Sequence, residues 1–502
     1  MSVRVRFAPS PTGPLHMGGV RTALFNYLFA KKHKGTFVLR IEDTDQNRYV
    51  EGAEEYIKEA LEWCGLIPDE GPGYGGDYAP YRQSDRKEIY QKYVQELIDS
   101  GNAYYAFDTQ EDLDKLRSEA ESEGRTFIYN YTNRLHLRNS LNLSAEETQA
   151  LLDSDTPHVI RFKIHAGETF RLHDIIRGNI SVDTSTLDDK ILMKNDGMPT
   201  YHLANIVDDH EMAITHVIRG EEWLPSLPLH LLMYDAFDWT PPQFAHLPLI
   251  LKSEGKGKLS KRDGDKHGFP VFPLEWKTED GVARGYREDG YFPDAFINML
   301  ALLGWNPGTE QEIFSLEELS QAFDLNKVNN SGARFNPDKT TWFNHQYLQQ
   351  KSDEELTASF QSILKEKGIE TNTEFDQKIV SLLKERANFV SDMWTEGEFF
   401  YQAPSSYDEK SFKKVWKEDT KDILNKFLSF DIPNYDSAEE IQAKVKDFVK
   451  DNEIGFGKIM MPLRVALVGG LHGPDIPVIM SLLGKEEVKN RLDSLISFSE
   501  NK

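Results

Sequence analysis

The chain has 502 residues, room for about three domains of usual size. Its 39% hydrophobic and 28% charged residues are ordinary globular composition and exclude a mainly disordered chain. With 58 Lys and Arg against 82 Asp and Glu the formal charge is −24; this excludes a protein that coats nucleic acid by bulk charge, while an RNA-binding enzyme with a local basic face stays possible.

Along the chain, Val3, Val5 and Phe7 alternate with Arg4 and Arg6, which predicts a half-buried strand. Pro9-Ser10-Pro11-Thr12-Gly13-Pro14 must be a loop. Val20, Ala23, Leu24, Tyr27 and Leu28 then recur at helical spacing, Gly35 stops that helix, and Phe37 to Ile41 is a second strand. This is a βαβ unit opening a parallel sheet. A second helix carries Ala53, Tyr56, Ile57, Ala60 and Leu61 on one face and stops at Gly65. The single cysteine, Cys64, lies on that apolar face and reads as a small buried hydrophobe; it excludes an internal disulfide and a cysteine-rich zinc site. From 106 to 190 the pattern loosens: a charged helix at Gln110 to Glu123 and a strand at His158 to Ile164 predict an α+β insertion between two halves of the sheet. The second half starts near Asp188, with a strand at His216-Val217-Ile218. A loop over Lys252 to Gly264 and a turn-rich stretch over Phe269 to Gly290 follow, and from 346 onward the periodicity is helical. No apolar run reaches the roughly 18 residues of a membrane helix. Met1 to Phe7 has no apolar signal core, so a cytoplasmic protein is expected.

Two motifs carry chemistry. His16-Met17-Gly18-Gly19 sits between the first strand and the first helix. Glycines at a helix start let a triphosphate approach the backbone, the helix N-terminus favours anions, and His16 can donate to a phosphate. Lys258-Leu259-Ser260-Lys261-Arg262 lies far downstream, with Lys252 and Lys256 nearby; two lysines three apart suit a clamp on a polyphosphate. Taken singly, the first reads as a proline-rich turn with a satisfied histidine and the second as a solvated basic loop. Asp208-Asp209-His210 has the composition of a metal triad, but consecutive residues rarely converge on one ion, so a helix-terminal or surface role is expected.

Together the two motifs resemble the paired ATP-binding motifs of class I aminoacyl-tRNA synthetases. Arg6 to Gly13, Leu39 to Asp45, Thr200 to Asn205, Val217 to Trp223 and the Lys-Leu-Ser-Lys-Arg segment stand in the order found in bacterial-type glutamyl-tRNA synthetases. The resemblance covers most of 1–345 and is weaker beyond, where Pro462 to Leu467 is the best piece. It implies a Rossmann-like α/β parallel-sheet catalytic domain with an α+β insertion, then an all-α anticodon-binding region. The implied divisions are 1–105 and 191–265 for the two catalytic halves, 106–190 for the acceptor-end insertion, 266–345 for stem contact and 346–502 for the anticodon. It implies a glutamate pocket of Arg6, Ser10, Glu42, Tyr201, Asn205 and Arg219. His16, Gly18, Gly19, Glu222, Leu251, Lys258, Ser260 and Lys261 fall on the ATP side, with His16, Lys258 and Lys261 acting on the reacting phosphate. The physics agrees: a buried carboxylate needs a cationic partner, and guanidinium offers bidentate geometry. The competing reading of Glu42 is a surface pair with Arg40 or Arg48.

The resemblance further implies L-glutamate, ATP with Mg²⁺ and the glutamate tRNA as substrates, a monomer, and no membrane. Two stretches depart from it. Where many members carry zinc-binding cysteines, this chain reads Tyr105-Ala106-Phe107-Asp108-Thr109, so no zinc is expected. Glu275 to Arg284 is longer than the usual connection and reads as a surface insertion. Three rivals are weighed. A glutaminyl-tRNA synthetase would have β-barrels where this chain is helical. The short paralogue that modifies a tRNA base lacks the C-terminal part. A catalytically dead RNA scaffold would have no reason to keep His16, Lys258 and Lys261.

Overall fold

The first strand, β1 (Arg4–Phe7), runs into the proline-rich turn; α1 (Met17–Lys32) and β2 (Thr36–Leu39) complete the βαβ unit. The computed structural model describes residues 2–165, 167–278 and 281–500. Next come α2 (Ala53–Trp63), α3 (Lys87–Asp99), β3 (Ala103–Ala106), α4 (Gln110–Ser122), α5 (Ala145–Asp153) and β4 (Val159–Phe162). They are followed by β5 (Thr169–Asp174), β6 (Gly178–Asp183), β7 (Ile191–Met193), α6 (Tyr201–Glu211), β8 (His216–Gly220), α7 (Leu227–Ala236) and β9 (Gln243–Leu247). β10 (Ile250–Leu251) leads through α8 (Lys261–His267) to the hairpin β11 (Trp276–Thr278) and β12 (Gly281–Ala283). Beyond 353 the described residues form helices, as the periodicity predicts, among them Ala438–Asp451, Gly457–Val468 and Ile476–Glu500, the last broken at Gly484 (φ +79°). The chain divides into two units, Met1–Phe343 and Asn344–Lys502. No helix among the described residues is long and apolar enough to cross a membrane.

Among the described residues the main sheet has the order β2-β1-β8-β9-β5-β6, parallel throughout except for the edge strand β6. Because β1 is central, both its faces are covered: Val5 is 0% and Arg6 only 3% exposed. The alternation therefore misleads at Arg6, which is not on a solvent face. Val20, Leu24 and Leu28 of α1 are fully buried, each contributing about 1.5–3 kcal/mol. Gly35 is obligatory for a steric reason: a Cβ there would lie 2.2 Å from the Val3 carbonyl oxygen. The helix at Ala53–Trp63 and its stop at Gly65 (φ +70°) are as predicted.

The segment 106–190 is differently partitioned from the expected insertion. β4 pairs with β3 and β7, which flank the segment, in a small antiparallel sheet, whereas β5 and β6 extend the main sheet through β9. β5 and β6 form the exposed end of the sheet, so their alternating burial reads as loose patterning. The Tyr105 to Thr109 stretch is held by polar and aromatic contacts: Asp108 accepts from the Tyr129 hydroxyl at 2.8 Å and from the Arg138 backbone N–H at 2.8 Å.

Beneath the main sheet lies a buried charge network. Arg40, 0% exposed, faces Asp209 (2.7 Å), Glu42 (3.0 Å) and Asp208 (3.8 Å). Arg6 donates from Nε to Asp209 at 2.9 Å, and Arg86 from Nε to Asp208 at 2.7 Å. Tyr90 and Gln83 also donate to Asp208, each at 2.9 Å. Removing one partner from a buried pair strands the other charge. Asp208→Ala is therefore expected to lose about 3–5 kcal/mol of unfolding free energy, while Arg48→Ala, which breaks an exposed pair with Asp45, changes little. Urea unfolding of both variants checks this; equal midpoints would show that the buried network does not hold the fold.

Candidate active site

The carboxyl ends of β1 and β8 and the starts of α1 and α6 converge on one cavity of about 530 Å³. This is the end of a parallel sheet where the strand-to-helix turns leave room for a ligand. Arg6, Ser10, Glu42, Tyr201, Asn205 and Arg219 all line it. His16, Gly18, Gly19, Glu222, Lys258 and Ser260 line the same cavity, so the two predicted groups meet. Leu251 and Lys261 do not line it. Leu251 pairs with Lys258 across the neck of the 252–257 loop and so places that lysine. Lys261 lines an adjoining cavity of about 410 Å³, whose wall it shares with Ser10, Thr12 and Trp276.

His16 caps α1: its Nδ1 accepts from the Gly18 N–H at 3.1 Å. The ring proton of the neutral form must then sit on Nε2, which is buried without a partner. Burial, with Lys258 nearby, lowers the His16 pKa to about 4. No acidic residue stands in the first turn of α1, so its N-terminal amides favour an anion. The stretch Lys252 to Gly264, expected to be a loop, becomes helical at Lys261. Ser260 precedes α8 and donates both its backbone N–H and its hydroxyl to Asp263 Oδ2, and Lys261 is the first helical residue. Lys258 contacts Glu222 at 3.3 Å, both side chains being well exposed.

On the other side, Arg6 uses Nε and one Nη on Asp209. Burial pushes the Asp209 carboxyl up, but Arg6 and Arg40 more than reverse it and hold it below the ordinary range. Glu42 pairs with Arg40, one of the two partners of the competing reading, yet does so in the interior; Arg48 pairs instead with Asp45. Glu42 also accepts from Asn205 Nδ2 at 3.2 Å, leaving Asn205 Oδ1 buried and unpartnered. Arg219, 5% exposed, donates to the Tyr201 hydroxyl at 2.6 Å, to His246 Nε2 at 2.9 Å and to the Trp223 carbonyl at 3.4 Å. All three partners are uncharged acceptors, and burial lowers its pKa.

Several expectations change. Asp208 and Asp209 are not on the surface: both are at most 2% exposed in the last turns of α6. They can be buried because Arg6, Arg40 and Arg86 neutralise them, a pairing of distant segments that adjacent residues do not reveal. His210 stacks on Trp239 at 3.7 Å. Sequence reasoning also missed His246, 0% exposed; a histidine inside the apolar run of β9 was the available signal. Arg21, which lines the cavity and donates from Nη1 to the Leu303 carbonyl at 3.0 Å, gave no such signal within its helix. The stretch from Glu275 to Arg284 forms the β11–β12 hairpin, with residues 279 and 280 outside the described ones. It is not purely a surface feature: Trp276 packs edge-on against Tyr56, and Ala283 faces the adjoining cavity. Cys64 is buried, and burial raises its thiol pKa.

A parallel sheet whose strand ends open on a His-x-Gly-Gly helix start and a lysine-bearing loop defines the catalytic domain of a class I tRNA synthetase. The family model for class I tRNA synthetases (E and Q), catalytic domain, matches residues 2–342, and that for an anticodon binding domain matches 346–496. The glutamate–tRNA ligase of Flavobacterium johnsoniae is 61% identical over 497 residues, 99% of each chain. That of Christiangramia forsetii is 60% identical over 499 residues, 98% of each chain. The crystal structure of a glutamate tRNA ligase from Elizabethkingia meningosepticum in complex with its amino acid superposes with a TM-score of 0.97, at 55% identity over 99% of each chain. The chain belongs to the glutamate–tRNA ligase family.

The His16 geometry has a measurable consequence. With a pKa near 4, the ring is expected to stay neutral and protonated on Nε2 from pH 5 upward. A ¹⁵N titration, with His16→Gln used for assignment, checks this; a midpoint near 6.5, the ordinary histidine value, would show the ring to be solvated.

Proposed function

We propose that the protein joins L-glutamate to the 3′ end of the glutamate tRNA through a glutamyl-adenylate. The observation that carries this is Arg219, a buried cation on the cavity wall whose hydrogen-bond partners among the described residues are neutral. Burying an unpaired charge is costly, and a ligand carboxylate supplies the missing partner. On this reading Arg219 and Arg6 receive glutamate carboxylates, while Glu42 and Asn205 Oδ1 receive the ammonium. Ser10 and Tyr201 complete the pocket. Glutamine would leave Arg219 unpaired, which gives selectivity a physical basis. That a glutamate tRNA ligase of the same fold was solved in complex with its amino acid supports the reading.

The glutamate α-carboxylate attacks the α-phosphorus of ATP, and pyrophosphate leaves. A terminal ribose hydroxyl of the tRNA then attacks the adenylate carbonyl, and AMP leaves. The protein's part is positioning and charge stabilisation. Gly18 and Gly19 admit the phosphates to the α1 amides, Glu222 bounds the nucleotide side, Leu251 acts there by placing Lys258, and His16 Nε2–H donates to a phosphate oxygen. Lys258 and Lys261 neutralise growing charge, with Ser260 fixing the turn between them. No group of three or more His, Cys, Asp or Glu side chains among the described residues could hold a metal ion. Mg²⁺ would travel on the triphosphate, held by phosphate oxygens and water. The insertion 106–190 would hold the acceptor end, 266–345 the stem, and 346–502 the anticodon, in a cytoplasmic monomer.

Aminoacylation with labelled glutamate, ATP and the glutamate and glutamine tRNAs taken separately is the direct test. Charging of the glutamate tRNA is expected; charging of neither tRNA would sink the proposal. Arg219→Gln is expected to raise the glutamate KM about tenfold or more with little change in the ATP KM. Lys261→Ala is expected to cut adenylate formation by about 10²-fold or more while tRNA binding persists; an unchanged kcat would remove Lys261 from the mechanism.

A further inference from the structure

Arg219 does not stand alone behind the cavity. Its Nε–H points at His246 Nε2, 2.9 Å away, and His246 Nδ1 lies 2.7 Å from Asp174 Oδ2. His246 and Asp174 are both 0% exposed. An arginine has no acceptor, so His246 Nε2 must offer a lone pair and the ring proton must be on Nδ1. Asp174 enforces that arrangement. Its Oδ1 accepts the backbone N–H groups of Ile176 (3.0 Å) and Arg177 (2.9 Å), while Oδ2 takes the imidazole proton (2.7 Å) beside the His246 backbone N–H (3.1 Å). Burial, with Arg219 nearby, keeps His246 below the ordinary histidine pKa and so neutral. The register of the sheet makes the contact possible: Arg219 of β8 is directly opposite His246 of β9, and Asp174 at the end of β5 is opposite Phe244.

We propose that Asp174 and His246 are positioning residues for amino-acid selection: Asp174 imposes on His246 the one tautomer that can accept from Arg219, and thereby aims the guanidinium at the ligand carboxylate. This rests on the reading of Arg219 as a glutamate contact. Neither residue lines the cavity, so neither touches the substrate. A histidine triad works on the same principle, in which a buried carboxylate sets ring tautomer and orientation.

Asp174→Asn is the sharpest test because it keeps size and shape. The Ile176 and Arg177 N–H groups hold the amide oxygen at the Oδ1 position, so the amide NH₂ meets His246 Nδ1. The ring proton is driven to Nε2, facing the Arg219 Nε–H donor to donor. The expected result is a glutamate KM raised about 10–100-fold, with the ATP KM within about twofold of the parent. ¹⁵N spectra should show Nδ1–H in the parent and Nε2–H in the variant. His246→Leu should match this loss, and His246→Gln, whose amide oxygen can accept from Arg219, should recover most of it. In an Arg219→Ala background neither Asp174→Asn nor His246→Leu should add anything. An unchanged glutamate KM in Asp174→Asn, full additivity with Arg219→Ala, or Nε2–H in the parent would each overturn the proposal. If Asp174→Asn does not fold, the His246 pair decides. An unchanged glutamate KM in Arg219→Ala alone would instead remove the underlying reading of Arg219.

Discussion

The guanidinium of Arg40 sets the terms for the catalytic unit. Fully buried just past β2, it is tolerable only with anions around it, and Asp209, Glu42 and Asp208 supply them. Two of these anions stand on α6, so satisfying Arg40 fixes that helix against the sheet. Tyr201, Asn205 and Asp209 are spaced by four along α6 and share one face. Anchoring Asp209 on Arg6 and Arg40 therefore delivers Asn205 to Glu42 and Tyr201 to Arg219. A structural ion network and the ligand-facing residues are one strip of helix.

The balance of that network explains why Arg219 is left over. Arg6, Arg40 and Arg86 are matched by Glu42, Asp208 and Asp209, so the interior behind the cavity is neutral. Arg219 adds a cation whose hydrogen bonds among the described residues go to neutral groups, and burial already depresses its pKa. The cavity wall beside it thus carries a positive excess despite a chain charge of −24. Net charge governs long-range attraction, whereas the field inside a desolvated cleft follows the nearest groups.

What the sequence made legible was local. The helix at Gln110 to Ser122, with its Thr109 cap, and the strand Val159–Phe162 follow from short-range pattern alone. The paired motifs placed His16 and Lys258 on one cavity because a strand-helix turn and a capped loop are local features too. The misreadings share a physical cause. The alternation of β1 set Arg6 on its polar face although the motif set it in a pocket, Asp208 and Asp209 were given a helix-terminal or surface role, and His246 went unnoticed, because each is buried by a partner from a distant segment. The polarity that normally marks a surface marks here an interior whose charges are matched. β5 and β6 were assigned to the insertion for the converse reason: they end the sheet beyond β9, and half their residues are exposed.

The two sides of the cavity are held with different firmness. The amino-acid side rests on buried pairs among Arg6, Arg40 and Asp209, and a displacement there would strand a charge in the interior. The nucleotide side rests on looser contacts: the exposed pair of Lys258 with Glu222, and the half-buried pair of Lys252 with Asp263. Arg334 Nη1 adds a neutral tie to the carbonyls of Lys252, Ser253 and Gly255. Exposed pairs are weak, so Lys258 can leave Glu222 for a phosphate oxygen at little cost. The asymmetry suits the chemistry. Choosing one small carboxylate ligand over its amide needs fixed geometry, whereas following a triphosphate through reaction and release needs cations that can change partners.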